Sequence, residues 1–142
     1  MFAEYLKRIK SETVETRIVP YCEIKCQYNP DRFNAWKSVV GKTLDIDKSP
    51  HWYFLNGNYY PYERLQKLYG RNDVWVINKV LKFEKLIDDI LQNGIKDPPI
   101  VLESPIVENE YNDGLEIWEG HHRLAIASYY RLETKVNICR IV

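Results

Sequence analysis

Cysteine, histidine and methionine are all scarce: three, three and one among 142 residues, and the charges cancel, with 20 Lys plus Arg against 20 Asp plus Glu. An odd number of thiols in a chain without a secretory leader argues against a disulfide framework. Cys22 and Cys26 form a C-x3-C pair that could recruit His51 or His121 to zinc, but the chain lacks a second C-x2-C or H-x3-H arm, so reduced core thiols are expected. A zero net charge removes any global field that would hold nucleic acid or an anionic membrane, and any anion site must be local. No apolar run approaches the roughly 18 residues of a membrane span, and the opening "MFAEYLKRIKSETVETR" alternates charge without an apolar leader core, which suggests a cytoplasmic protein. Glycine and proline act as punctuation rather than as a linker, and no repeat occurs, so one domain over 1–142 is expected.

Aromatic residues are plentiful by contrast, with 11 Tyr and 4 Trp. The pattern predicts an α+β domain. Residues 2–10 place Phe2, Tyr5, Leu6 and Ile9 on one helical face, and "TRIVPYCEIK" reads as a strand broken or at an edge because of Pro20, followed by a turn at "YNPDRFN". The segment 34–78 is an aromatic-rich insertion in which Asn56-Gly57 signals a hairpin, although a loop with ordered aromatics would look similar, and "PYERLQKLYG" reads as a short helix with Pro61 near its start and Gly70 just past its end. "NKVLKFEKLIDDILQNG" carries Leu81, Phe83, Leu86, Ile87, Ile90 and Leu91 at helical spacing and a left-handed stop at Asn93-Gly94. "PPIVLESPIV" and "LEIWEG" read as hairpin partners around Asn112 to Gly114, then a helix starts near His121, and "KVNICRIV" closes the chain as a strand.

The densest chemistry lies where "LEIWEG" meets that last helix. A helix start exposes unpaired N–H groups at the positive end of the dipole. Gly120 allows close backbone approach, Arg123 offers a planar fork to phosphate or carboxylate oxygens, and His121 and His122 can hold an anion or move a proton near neutral pH. Glu119 is a candidate base, magnesium ligand or ion-pair partner of Arg123, for which Glu116 and Glu133 also compete. A simple solvated cap has the same spacing. A metal site built on the two histidines is disfavoured, because neighbouring side chains diverge and His51 is the one remaining imidazole.

The boxes "LIDDILQNGIKDPPIV" and "IWEGHHRLAIA", separated by a hairpin and followed by a strand, resemble the ParB/sulfiredoxin superfamily, with its "G-[IL]-x-x-P-I-x-V" and "G-x-x-R" signatures. The resemblance implies a small mixed sheet flanked by helices with a phosphate-binding turn at a helix N-terminus. It covers Lys82 to Val142, and "IVPYCEI" with "YNPDR" is loosely similar to an earlier strand and turn of that family. ParB holds CTP, sulfiredoxin ATP and the free-serine kinases ADP at this turn. By the same likeness Gly120, His121, His122 and Arg123 cradle phosphate, and Gly94, Ile95 and Pro99 join the nucleotide site. The sulfiredoxin cysteine is replaced by His121, so its thiol chemistry is absent, and the glutamine of ParB's other box has become Asp97 or Pro98, with one residue inserted.

Three functions are compatible with this reading. The first is hydrolysis or transfer of a terminal phosphate of ATP, ADP or CTP with Mg2+, catalysed by His121 with Glu119 or Glu23 as the acidic group; Asp31 and Asp97 are further acidic candidates by location. The second is nucleic-acid binding or cleavage, using "VLKFEK" and "KLYGR" as a local basic stripe. The third is a non-catalytic phage or mobile-element accessory module whose aromatic segment meets a host protein. No membrane partner and no resident metal are expected.

Overall fold

The computed structural model describes residues 11–27, 43–68, 70–103 and 115–141. Its strands are β1 (Ser11–Ile18), β2 (Ile24–Gln27), β3 (Thr43–Asp45), β4 (Ile100–Leu102), β5 (Leu115–Glu119) and β6 (Lys135–Ile141). They form one mixed sheet in the order β1-β6-β4-β5-β2-β3. β1 with β6, β4 with β5 and β2 with β3 pair antiparallel; β4 with β6 and β5 with β2 pair parallel. Four α-helices accompany the sheet: α1 (Pro50–Leu55), α2 (Tyr60–Leu68), α3 (Asp73–Asn93) and α4 (His121–Tyr129). The mixed α+β class expected from the sequence is therefore observed among the described residues. The proposed helix at 2–10 and the turns at 28–34 and 112–114 lie outside them.

Two expectations are corrected. The break expected at Pro20 in "TRIVPYCEIK" is observed, but its halves belong to two separate strands rather than one. Val19-Pro20 and a 3-10 turn at Tyr21–Glu23 divide them, and the chain passes from β1 on one edge to β2 beside β3 near the other. β1 protects its outer edge with Glu12, Glu15 and Arg17 and with a register shift between Thr13 and Glu15, features that oppose further strand addition. Asn56-Gly57 does not turn a hairpin either; it ends α1. Gly57 has φ +90°, and the amides of Gly57 and Asn58 return to the carbonyls of Phe54 at 3.1 Å and Tyr53 at 2.9 Å. The positive φ that makes Asn-Gly a hairpin signal serves equally well as a helix stop.

The other helix boundaries follow local chemistry. Pro50 occupies the first turn of α1, and Ser49 caps it by accepting from the Trp52 amide at 3.2 Å while donating to the Ile46 carbonyl at 2.7 Å. Because Ser49 is buried and uses both hydrogen-bonding roles, Ser49→Ala is expected to cost about 1–2 kcal/mol, measurable as a lower midpoint in urea with an unchanged slope. α3 begins five residues before the apolar pattern that announced it, because Asn72 accepts from the Trp75 amide at 2.9 Å; it ends at Gly94 with φ +75°.

α4 lies between two apolar clusters, and its small and aliphatic run "LAIA" is wholly buried. Leu124 and Ala125 join Ile24, Val101, Ile117, Val136 and Ile138 against the sheet. Ile126 belongs to a second cluster with Phe54, Tyr62, Phe83 and Ile90, in which the Phe54 and Phe83 rings stack at 4.4 Å. Ile46, Phe54 and Tyr62 all come from the aromatic-rich segment. That segment is part of the core, which fixes where its polar residues face.

Candidate functional site

β5 ends at Glu119 and α4 starts at His121, so Gly120 must reverse the chain in a single residue. It does so with φ +108° and ψ 31°, a left-handed conformation that a side chain would strain. Pro99 also presses against it: a Cβ built on Gly120 would lie 2.8 Å from Pro99 Cβ and 3.2 Å from Arg123 Nη2. No side chain caps the helix, and its first return bond runs from the Leu124 amide to the Gly120 carbonyl at 2.9 Å. The amides of His121, His122 and Arg123 therefore lack intrahelical acceptors.

This helix start opens on a cavity of about 740 Å³. Gly120, His121, His122 and Arg123 line it together with Glu119; α1 supplies His51, and α2 supplies Gln66. The wall from α3 carries Trp75, Lys79 and Lys82, with Arg71 just before the helix. Trp75 and Lys79 lie one turn apart on one face of α3, and the Arg71 guanidinium lies 4.4 Å from the Trp75 ring centre. Four cationic side chains thus surround the cavity, against Glu119 as the carboxylate in its lining. Arg123 is oriented by donating to the Asp97 carbonyl and by Glu119, whose Oε1 is 4.0 Å from Nη2.

All three histidines of the chain meet here. The His51 ring is 4.5 Å from that of His122 and 5.9 Å from that of His121, centre to centre. His122 packs edge-on against Phe83, and its Nε2 shares a 2.9 Å hydrogen bond with Tyr62 Oη. Desolvation dominates their titration. Burial pushes His121 down to about 4, and burial followed by the charges of Lys79 and His121 takes His122 to about 3. His51 is lowered well below its usual value by burial, then by His122, His121 and Lys79. All three rings are neutral at pH 7. His121 Nε2 is enclosed without a hydrogen-bond partner among the described residues.

The expected site residues thus divide. Gly120, His121, His122, Arg123 and Glu119 share the cavity, with Pro99 buried beneath Gly120. Glu23 is exposed in the 3-10 turn and does not line the cavity, because that turn carries it away from the strand on which the sequence placed it. Gly94 caps α3 and Ile95 packs on the second apolar cluster; neither lines the cavity. Asp97 contributes its carbonyl to Arg123 rather than a carboxylate to a ligand, and Asp31 lies outside the described residues. The doubt about His51 is resolved in favour of convergence: α1 delivers it to the two histidines of α4. No group of three or more His, Cys, Asp or Glu among the described residues has metal-site geometry. Cys26 and Cys139 are buried free thiols as expected, whereas Cys22 is exposed. Burial, aided by Asp45, pushes the Cys26 thiol up to about 12.

Sequence reading missed His51 as a wall of the site, Gln66 and the basic side of α3. The spacing of Trp75 and Lys79 was visible as a strip beside the apolar face; Gln66 carried no signal, since its role depends on how α2 meets the cavity. No protein-family model, curated protein or solved structure matches the chain at a significant level. No helix among the described residues is long and apolar enough to cross a membrane.

Proposed function

We propose that this cavity binds a nucleotide by its phosphates, as a ParB/sulfiredoxin-like domain would, and that the protein hydrolyses or transfers the terminal phosphate of ATP, ADP or CTP. The observation that carries this reading is the unobstructed start of α4, entered through Gly120 and ringed by Arg71, Lys79, Lys82 and Arg123. Amide donors, a helix dipole and fixed cations aimed at one small volume are what stabilises phosphate oxygens. The cavity volume of about 740 Å³ suits a nucleotide-sized ligand.

In this reading Arg123 and the first amides of α4 hold the terminal phosphate while Lys79 and Lys82 neutralise the neighbouring one. An oxygen nucleophile attacks the terminal phosphorus, the bond to the bridging oxygen breaks, and the nucleophile's proton passes to Glu119, the carboxylate in the lining. His121, whose Nε2 is enclosed, contributes its backbone amide. Tyr62 fixes the ring of His122 beside it. One lining carboxylate, Glu119, fits Mg2+ arriving with the phosphates rather than held by protein alone. When bound, Mg2+ would supply charge neutralisation at the phosphate oxygens.

Thermal-shift and turnover measurements over ATP, ADP and CTP with Mg2+ test the reading directly. At least one nucleotide is expected to raise the melting temperature, and the combined Lys79→Ala, Lys82→Ala variant to bind it about 100-fold less tightly, as two lost charge-assisted contacts imply. Absence of binding at millimolar concentration by the wild type would overturn it.

A further inference from the structure

Four polar or charged side chains are deeply buried among the described residues: Ser49, His51, Gln66 and Glu116. Three of them line the cavity, and they differ in how they are satisfied. Ser49 has its cap bonds. Gln66, only 4% exposed, and His51, at 9%, make no side-chain hydrogen bond to any described residue. Their side-chain polar atoms keep access to the cavity rather than being sealed in the protein. They bond to whatever fills that cavity, water or ligand.

We propose that Gln66 and His51 form a second subsite that takes a neutral hydrogen-bonding group of the ligand, beside the phosphates held at Gly120 to Arg123. This inference rests on the phosphate reading and adds to it the nature of the remainder. The carboxamide of Gln66 presents a donor and an acceptor side by side, and a neutral imidazole presents one of each. Neither matches a second anion as well as it matches a group that both donates and accepts. The ligand is then a phosphate joined to a polar organic moiety, such as the amide-like edge of a nucleobase or the hydroxyls of a sugar, and not inorganic phosphate. Trp75 and Trp118, which also line the cavity, offer apolar faces for a ring. The subsite is built by α1 and α2, from the part of the chain that shares no motif with the phosphate turn.

Calorimetric titration of the full chain with inorganic phosphate, butyl phosphate, ribose 5-phosphate and CMP or AMP separates the sources. Wild type should bind a nucleoside monophosphate or ribose 5-phosphate at least about tenfold tighter than butyl phosphate, since a site made for hydrogen bonds discriminates against a ligand that lacks them. A preference for the nucleoside monophosphate over ribose 5-phosphate assigns the base edge; equal affinity assigns the hydroxyls. Gln66→Met should weaken the preferred ligand about tenfold and leave butyl phosphate within about twofold. Gln66→Leu should do the same. Unchanged affinity for the preferred ligand in both variants, or butyl phosphate bound as tightly as the others by wild type, would overturn the subsite while sparing the phosphate reading. If no phosphate compound binds at all, both fall.

Discussion

Acidification from about pH 7 to about pH 5 is expected to remove about 4 kcal/mol of stability through two imidazoles. In the unfolded chain a histidine titrates near 6.5, whereas in the folded protein His121 sits at about 4 and His122 at about 3. Between these values the unfolded state binds more protons than the native one, so stability rises with pH through the window and is fully present above about 6.5. It is lost as pH falls, at about 1.4 kcal/mol per pH unit for each imidazole that must be charged on unfolding, or about 2 kcal/mol apiece by pH 5. His51 acts in the same direction. With typical domains stable by only about 5–15 kcal/mol, the loss is large. Urea unfolding at the two pH values measures it. His122→Gln retains a hydrogen-bonding partner for Tyr62 but does not titrate, so it should flatten the pH dependence by close to one proton. Equal stability of the wild type at both pH values would show that these rings are hydrated rather than enclosed. Phosphate in the cavity should lessen the acid loss, because an anion beside the imidazoles offsets the cost of charging them.

The elements that sequence made legible are those whose information is local. The long helix through Phe83 and Ile90, the stop at Gly94, the β4–β5 pairing and the start of α4 at His121 each follow from periodicity or from a cap within a few residues. The turn that opens α4 was legible for the same reason: Gly120 to Arg123 are contiguous. What failed depended on packing. Asn56-Gly57 announces a positive φ but not whether strands or helices flank it, and that choice is made by Phe54 and Tyr62 entering a shared aromatic cluster. Pro20 marks an interruption but not that the two segments part to distant positions in the sheet. His51 meets His121 across a separation of seventy residues because α1 rests against α4, and Lys79 faces them because Phe83, one turn on, is anchored in the core. A side chain such as Gln66 acquires meaning only once it is known to be buried and to line the cavity.

Gly120→Ala is expected to be the most damaging single-methyl change in the molecule. Two costs combine at this position. A φ of +108° is strained for any residue with a Cβ, by about 1–3 kcal/mol. The new methyl would also stand 2.8 Å from Pro99 Cβ and 3.3 Å from Pro99 Cα, and this proline is fully buried at the start of β4, so it has little room to yield. Overpacking of this kind adds about 1–3 kcal/mol. Gly94→Ala isolates the first cost, since Gly94 has φ +75° but nothing within 4 Å of a Cβ. The expected order is therefore a loss of about 1 kcal/mol for Gly94→Ala and about 2–5 kcal/mol for Gly120→Ala, read from urea midpoints at constant slope. Binding should separate the two further. The alanine methyl at 120 would lie 3.2 Å from Arg123 Nη2 and displace the guanidinium from the Asp97 carbonyl and Glu119, so phosphate affinity should fall at least about tenfold even where the protein remains folded. Gly94→Ala should leave that affinity unchanged. Equal stability and equal affinity in the two variants would mean that the close approach of Pro99 does not define the turn.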